Sequence, residues 1–131
     1  MKFKIILIIT MCILSTTCHA EDNAADLLDC CKLALHPEKI NNVDDLTKAN
    51  TCQSYISGYI DMYYAYAAAY GKEKAIFNIP DETKTKEIIE VVVAFLEDNP
   101  KILNEYRGYS IFLAIIHNFP PTSESEKSNT K

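Results

Sequence analysis

Only three of the chain's 131 residues are glycine, namely Gly58, Gly71 and Gly108. A loop that cradles phosphate needs several glycines close together, so nucleotide-binding loops of that kind are excluded. Histidine is equally scarce: His19, His36 and His117 are too far apart to form a helical zinc pair. No serine stands in a Gly-x-Ser-x-Gly elbow. Basic residues are outnumbered, 13 against 18 acidic ones, for a net charge of −5. Phosphate backbones repel a surface of that sign, which argues against nucleic acid as a partner and favours a basic protein surface. Long apolar runs are also missing, since the stretch over 5–14 is too short to span a bilayer.

That short run follows Lys2 and Lys4 and precedes Cys18-His19-Ala20, with small residues at the third-last and last positions before a cut. This is the layout of a secretory signal peptide over residues 1–20, cleaved after Ala20. A lipoprotein signal with Cys18 lipidated is the rival layout. Ser15-Thr16-Thr17 fits it poorly, because such sites usually carry leucine three residues before the cysteine. Cleavage removes two lysines and no acid, so 11 basic and 18 acidic residues remain, a net of −7 with no membrane span. It also removes Cys12 and Cys18. Cys30, Cys31 and Cys52 then meet an oxidising compartment, where they can form one intramolecular bridge and leave one thiol over.

Hydrophobic periodicity predicts a small all-α bundle of four main helices. The first covers 23–35, with Ala24, Leu27, Leu28, Cys31, Ala34 and Leu35 on one face, and His36-Pro37 stops it. Residues 41–50 are polar and read as a loop with at most one helical turn. A second helix over 51–70 takes Asn50 or Thr51 as N-cap and Gly71 as its stop. A mixed-charge linker over 72–86 leads to a third helix over 87–98 with Ile88, Val91, Val92, Phe95 and Leu96 inward. Asn99-Pro100 breaks it. The last helix, over 106–118, sets Tyr109, Phe112, Leu113 and Ile116 on one side. Phe119-Pro120-Pro121 closes the fold, and 122–131 is a polar tail too poor in apolar groups to order itself.

The second helix holds six of the eight tyrosines. Tyr55, Tyr59, Tyr63, Tyr66 and Tyr70 follow one another at spacings of 4, 4, 3 and 4, which puts them on one helical face. A stripe of this kind is usually core, with hydroxyls reaching water at the edge. Five rings exceed what one small core needs, however, and Ile56, Ile60, Ala67 and Ala68 make the opposite side apolar too. A helix that is apolar most of the way round points to a second buried face, at a subunit or partner interface. Within the stripe, Tyr55, Tyr59 and Tyr63 are expected inside, with Gly58 admitting a neighbouring helix. Asp61 reads as exposed or as the acceptor of a tyrosine hydroxyl. No catalytic set, metal site or cofactor is expected.

Several segments together carry a resemblance. They are Leu27-Leu28-x-x-Cys31, Cys52-x-x-Tyr55-Ile56-x-Gly58-Tyr59-Ile60-Asp61 and Phe77-x-Ile79-Pro80. Val91-Val92-Val93-x-Phe95-Leu96-x-x-Asn99-Pro100 and the closing stretch over 114–120 complete the set. Their order and spacing resemble the Rap/Tai family of immunity proteins over nearly the whole of 21–121. The resemblance implies a small, non-enzymatic, periplasmic all-α protein, often a homodimer, that plugs the cleft of a peptidoglycan amidase delivered by type VI secretion. It also implies a Cys31–Cys52 disulfide with Cys30 free, and the helix phase agrees, because Cys31 lies on the apolar face and Cys30 off it. Family members commonly carry cysteine at the positions held here by Asn78 and Pro121, so a second bridge is absent as a pair. Two other classes share parts of this profile: a periplasmic acid-stress chaperone of the Hde type, and a hydrolase, which the missing nucleophile disfavours.

Occluding a cleft calls for a protruding segment, and binding residues favour loops on a rigid scaffold. The expected partner-binding residues are therefore Lys72, Glu73, Phe77, Asp81 and Glu82 in the loop over 71–86, with the two last acids facing basic groups of the amidase.

Overall fold

The computed structural model describes residues 23–121. The signal peptide over 1–20, its cleavage after Ala20 and the polar tail over 122–131 lie outside the described residues. Four helices form the bundle: α1 (Ala24–Leu35), α2 (Val43–Tyr70), α3 (Thr85–Asp98) and α4 (Arg107–Asn118). Among the described residues there is no strand, only an isolated antiparallel bridge between Asn23 and Tyr106.

Helix α1 starts where the sequence predicts, because Asn23 Oδ1 accepts the backbone N–H of Asp26 at 2.9 Å. Two more first-turn N–H groups find partners outside the helix. Ala24 donates to the Glu105 carbonyl and Ala25 to that of Leu103, both at 2.9 Å, so the turn before α4 caps α1. His36 ends the helix ahead of Pro37. The disulfide between Cys31 and Cys52 ties α1 to α2 as expected, and Cys30 is free and half-buried. Burial pushes the Cys30 thiol up from its ordinary range.

Helix α2 is the main correction. It begins at Val43, not at 51, and its 28 residues run about 42 Å at 1.5 Å per residue. The N-cap is Asn42, whose side chain accepts from Asp45 N at 2.9 Å, while Asp45 Oδ2 accepts from Asn41 N at 3.1 Å. Asp44 and Asp45 favour the helix N-terminus, and Asp44 pairs with Lys48 one turn on at 2.7 Å. The first turns read as loop because Ala49 alone in them is buried, so periodicity carries no signal there. The buried line of α2 is Ala49, Cys52, Ile56, Ile60, Tyr63 and Ala67.

Two helix faces also turn relative to expectation. In α3 the buried residues are Ile88, Ile89, Val92, Val93 and Leu96, with Val91 and Phe95 half-buried. In α4 they are Ser110, Ile111, Ala114 and Ile115, whereas Tyr109 is exposed and Phe112, Leu113 and Ile116 are half-buried. Helix α4 is apolar nearly all round, and the side with small Ser110 and Ala114 approaches its neighbours most closely. Ile111 and Ile115 fill the interior beside them, and Tyr109 is left facing outward. Gly58 admits no helix, since an added Cβ there would meet nothing within 4 Å. Gly108 is the close approach: its Cβ would lie 2.8 Å from the Tyr106 ring and 3.3 Å from the Tyr55 hydroxyl.

Helix α3 packs against all three other helices, and α1 lies against α2. Helices α2 and α4 meet mainly through side chains. The Arg107 guanidinium stands 4.3 Å over the Tyr55 ring at one end of that seam. Farther along, the segment between α2 and α3 fills it.

Candidate functional site

Gly71, at φ 93°, ends α2 in a conformation that an L side chain rarely adopts. A short 3-10 turn, Lys72–Lys74, follows, and the chain then extends. From Ala75 to Pro80 burial alternates: Ala75, Phe77 and Ile79 are buried, while Ile76, Asn78 and Pro80 are exposed. This two-residue period is that of an extended strand lying on a core, although no sheet forms. The segment is fastened at three points. Lys72 Nζ bonds and ion-pairs with Asp81 Oδ1, the Tyr64 hydroxyl donates to the Pro80 carbonyl at 3.4 Å, and Asn78 N–H donates to the Phe119 carbonyl at 3.0 Å. The expected protruding loop is thus a strap drawn down onto the bundle.

An aromatic row lies beneath it. The Tyr63 ring stacks on Phe77 at 5.0 Å between centroids, and Phe77 meets Phe112 edge-on at 6.3 Å. These rings floor a half-enclosed groove of about 330 Å³. Tyr59, Met62 and Tyr66 of α2 form one wall, and Lys74 and Ile76 of the strap form the other. Along its rim, Met62 is 62% exposed and Ile76 60%, and Tyr70 beyond is 59% exposed, a cluster of apolar surface that a small domain does not need for folding. Burial holds the Tyr59 phenol above its usual range, with Tyr55 adding to the effect. Tyr64 is raised by burial first and by the Asp81 carboxylate second. Lys72 is raised by its hydrogen bond to Asp81. Each of these three shifts favours the form already present at neutral pH.

The five stripe tyrosines are divided by the structure. Tyr63 is buried, Tyr55 and Tyr59 are half-buried on the flank of the core, and Tyr66 and Tyr70 are exposed and paired at 4.9 Å. The line of Ile56, Ile60 and Ala67 takes the interior beside Tyr63 instead. Among the linker residues, Lys72 and Asp81 come together and Glu82 is exposed. Glu73 lies in the turn Lys72–Lys74. Phe77 is only 5% exposed, so it holds the strap down and reaches outward only as part of the groove floor. Glu82 lines a different depression, broad and open, with Glu87, Glu90, Val91 and Phe119.

Sequence reasoning missed Met62, Lys74, Ile76 and Phe112. The alternation of Ala75, Ile76, Phe77 and Ile79 was the available signal for Ile76, because a two-residue period leaves one apolar side chain outward. Asp61 is exposed, and His36 sits beside Glu38 with Nδ1 3.1 Å from Oε1. The His117 ring packs on Phe95 at 5.6 Å. Neither histidine reaches the groove. Among the described residues no group of His, Cys, Asp or Glu could hold a metal ion, and no helix is long and apolar enough to cross a membrane. No curated protein and no solved structure matches the chain. The family model described as Rap1a immunity proteins matches residues 23–120.

Proposed function

The chain belongs to the Rap1a immunity protein family, and on that premise we propose that it neutralises a peptidoglycan amidase delivered by type VI secretion. It acts in the periplasm, after export by its signal peptide, as a one-to-one plug and without chemistry of its own. The observation that carries this reading is the exposed apolar cluster of Met62, Tyr66, Tyr70 and Ile76 beside a firmly fastened strap. A plug must present apolar area without losing its shape, and the strap does both. Lys72, Glu73, Asp81 and Glu82 supply the charged contacts of the same linker in this reading, with Phe77 anchoring the strap from below. Tyr106 and Tyr109, exposed on another part of the bundle, leave area for a second copy in a homodimer.

The test is a peptidoglycan digest with the cognate amidase. Digestion is expected to stop at one chain per enzyme, and undiminished digestion at excess chain overturns the proposal. Calorimetry then locates the contact. Glu82→Lys reverses a charge without touching the Lys72–Asp81 fastening, and weaker binding with unchanged helix content is expected if the strap end faces the enzyme. Sedimentation of the chain alone reads the dimer.

A further inference from the structure

We propose that the groove between α2 and the strap is a socket for one large apolar side chain that stands beside a carboxylate on the partner's surface. The proposal rests on the immunity reading for who the partner is, but not for the chemistry it must present. A floor of Tyr63, Phe77 and Phe112 and walls of Met62 and Ile76 ask for an apolar group. Met62 is unbranched and polarisable, so the wall adapts to the shape that enters. Small pockets of this kind, filled by one anchoring side chain, carry most of the energy of many protein interfaces.

The second observation is electrostatic. Among the described residues, Lys74 supplies the only charged side chain in the lining. Lys72, two residues away, is neutralised by Asp81, whereas Lys74 makes no ion pair among the described residues. The backbone N–H of Lys74 bonds the Gly71 carbonyl at 3.1 Å, which sets its stem on the groove lip. An uncompensated cation beside an apolar floor complements an anion attached to an apolar group. The chain as a whole is acidic and steers basic surfaces toward it, yet this groove selects the opposite sign at close range. Phenols of Tyr59 and Tyr66 on the rim can hydrogen-bond peptide groups, which favours a peptide over an acyl chain.

Anilinonaphthalene sulfonate, an apolar ring system bearing an anion, is the probe, used with the full exported chain at pH 7. One dye per groove is expected, with fluorescence abolished in Met62→Glu. In Lys74→Glu the affinity should fall about tenfold, as for loss of one partly desolvated ion pair. Lys101→Glu, in the turn before α4, is the charge control and should bind as wild type. Both groove residues are exposed, so circular dichroism of each variant should match wild type, and Met62→Ala serves if Met62→Glu misfolds. N-acetyl-Leu-Glu amide should displace the dye, and so should the amidase. Equal dye binding by Met62→Glu, Met62→Ala and wild type overturns the socket. Displacement by laurate but not by the peptide overturns the peptide assignment. An amidase that binds with the dye still in place puts the enzyme contact elsewhere and sinks the proposal. An amidase that fails to bind the wild-type chain at all overturns the immunity reading, while the dye result still decides the chemistry of the groove.

Discussion

Between Val43 and Thr51, helix α2 buries a single residue, Ala49; from Cys52 onward it buries Cys52, Ile56, Ile60, Tyr63 and Ala67 and still exposes Met62, Tyr66 and Tyr70. The first stretch is held by short-range polar contacts. Asn42 caps it, Asp44 pairs with Lys48, and the hydroxyls of Thr47 and Thr51 donate to the carbonyls of Val43 and Thr47 at 2.8 Å. The second stretch is held by burial against α1, α3 and the strap, and its apolar residues outnumber the positions the core can take. One continuous helix therefore has an end that folds locally, where exposed Val43 and Leu46 stand among polar residues, and an end that folds by packing and gathers Met62, Tyr66 and Tyr70 into apolar surface to spare. That surplus is the ground on which we propose the second end as the docking surface.

The largest test of this contrast uses two tyrosines three residues apart. Tyr63→Ala removes a buried ring and should cost about 3–5 kcal/mol, read as a lower melting temperature. Tyr66→Ala, on the exposed side, should stay within about 0.5 kcal/mol of wild type and should instead weaken amidase binding. Equal melting of the two variants would erase the distinction between core and surface in this half. Tyr63→Phe sharpens it, because the buried Tyr63 hydroxyl finds no hydrogen-bond partner among the described residues. Its removal should leave stability unchanged or slightly higher.

Next in size is the join between the halves. Replacing both Cys31 and Cys52 by alanine opens a loop with a sequence separation of 21, for which the chain-entropy model gives roughly 3 kcal/mol. Denaturant unfolding with and without reductant should reproduce that loss. Asn42→Ala then addresses the polar end. Loss of the cap should cost about 1 kcal/mol and speed hydrogen exchange over the first turns of α2, leaving protection at Ile56 and Ile60 intact. Exchange that rises equally along the helix would mean that the two ends are not independent.

The smallest effect is alkaline. Cys30, Tyr59, Tyr64 and Lys72 all hold their protons more tightly in the folded chain than their ordinary values imply. The unfolded chain therefore binds fewer protons in that range, and stability falls as pH rises through the folded values. Below the ordinary values the contribution is fully present. A melting series from neutral pH to the tyrosine range should decline at its upper end, and phenolate absorbance should lag behind that of free tyrosine.

Much of the bundle was legible in the sequence where a local chemical signal marks an event. Asn23 and His36-Pro37 bracket α1, Gly71 ends α2, and Asn99-Pro100 separates α3 from the turn that follows. The start of α2 was hidden because polar turns with one buried alanine have no hydrophobic period. Its signal was the Asn42–Asp45 pair, a reciprocal cap of the kind that precedes helices. The faces of α3 and α4 were not legible, because where apolar residues surround a helix the choice among them is made by the shapes of its neighbours. Met62 and Lys74 escaped for a further reason: a groove belongs to two segments at once, and neither segment alone announces it.

The alternating strap has a consequence for how this protein can change over generations. Its inward side chains, Ala75, Phe77 and Ile79, are locked to the fold, while Ile76, Asn78 and Pro80 are free of it. Point substitutions at the outward positions can follow an altered enemy without disturbing the architecture. A single-residue deletion within the same stretch would exchange the two sets, bringing a polar amide inward and a phenyl ring outward. Diversification of this surface is thus channelled into replacement and barred from length variation, the reverse of what an ordinary loop allows.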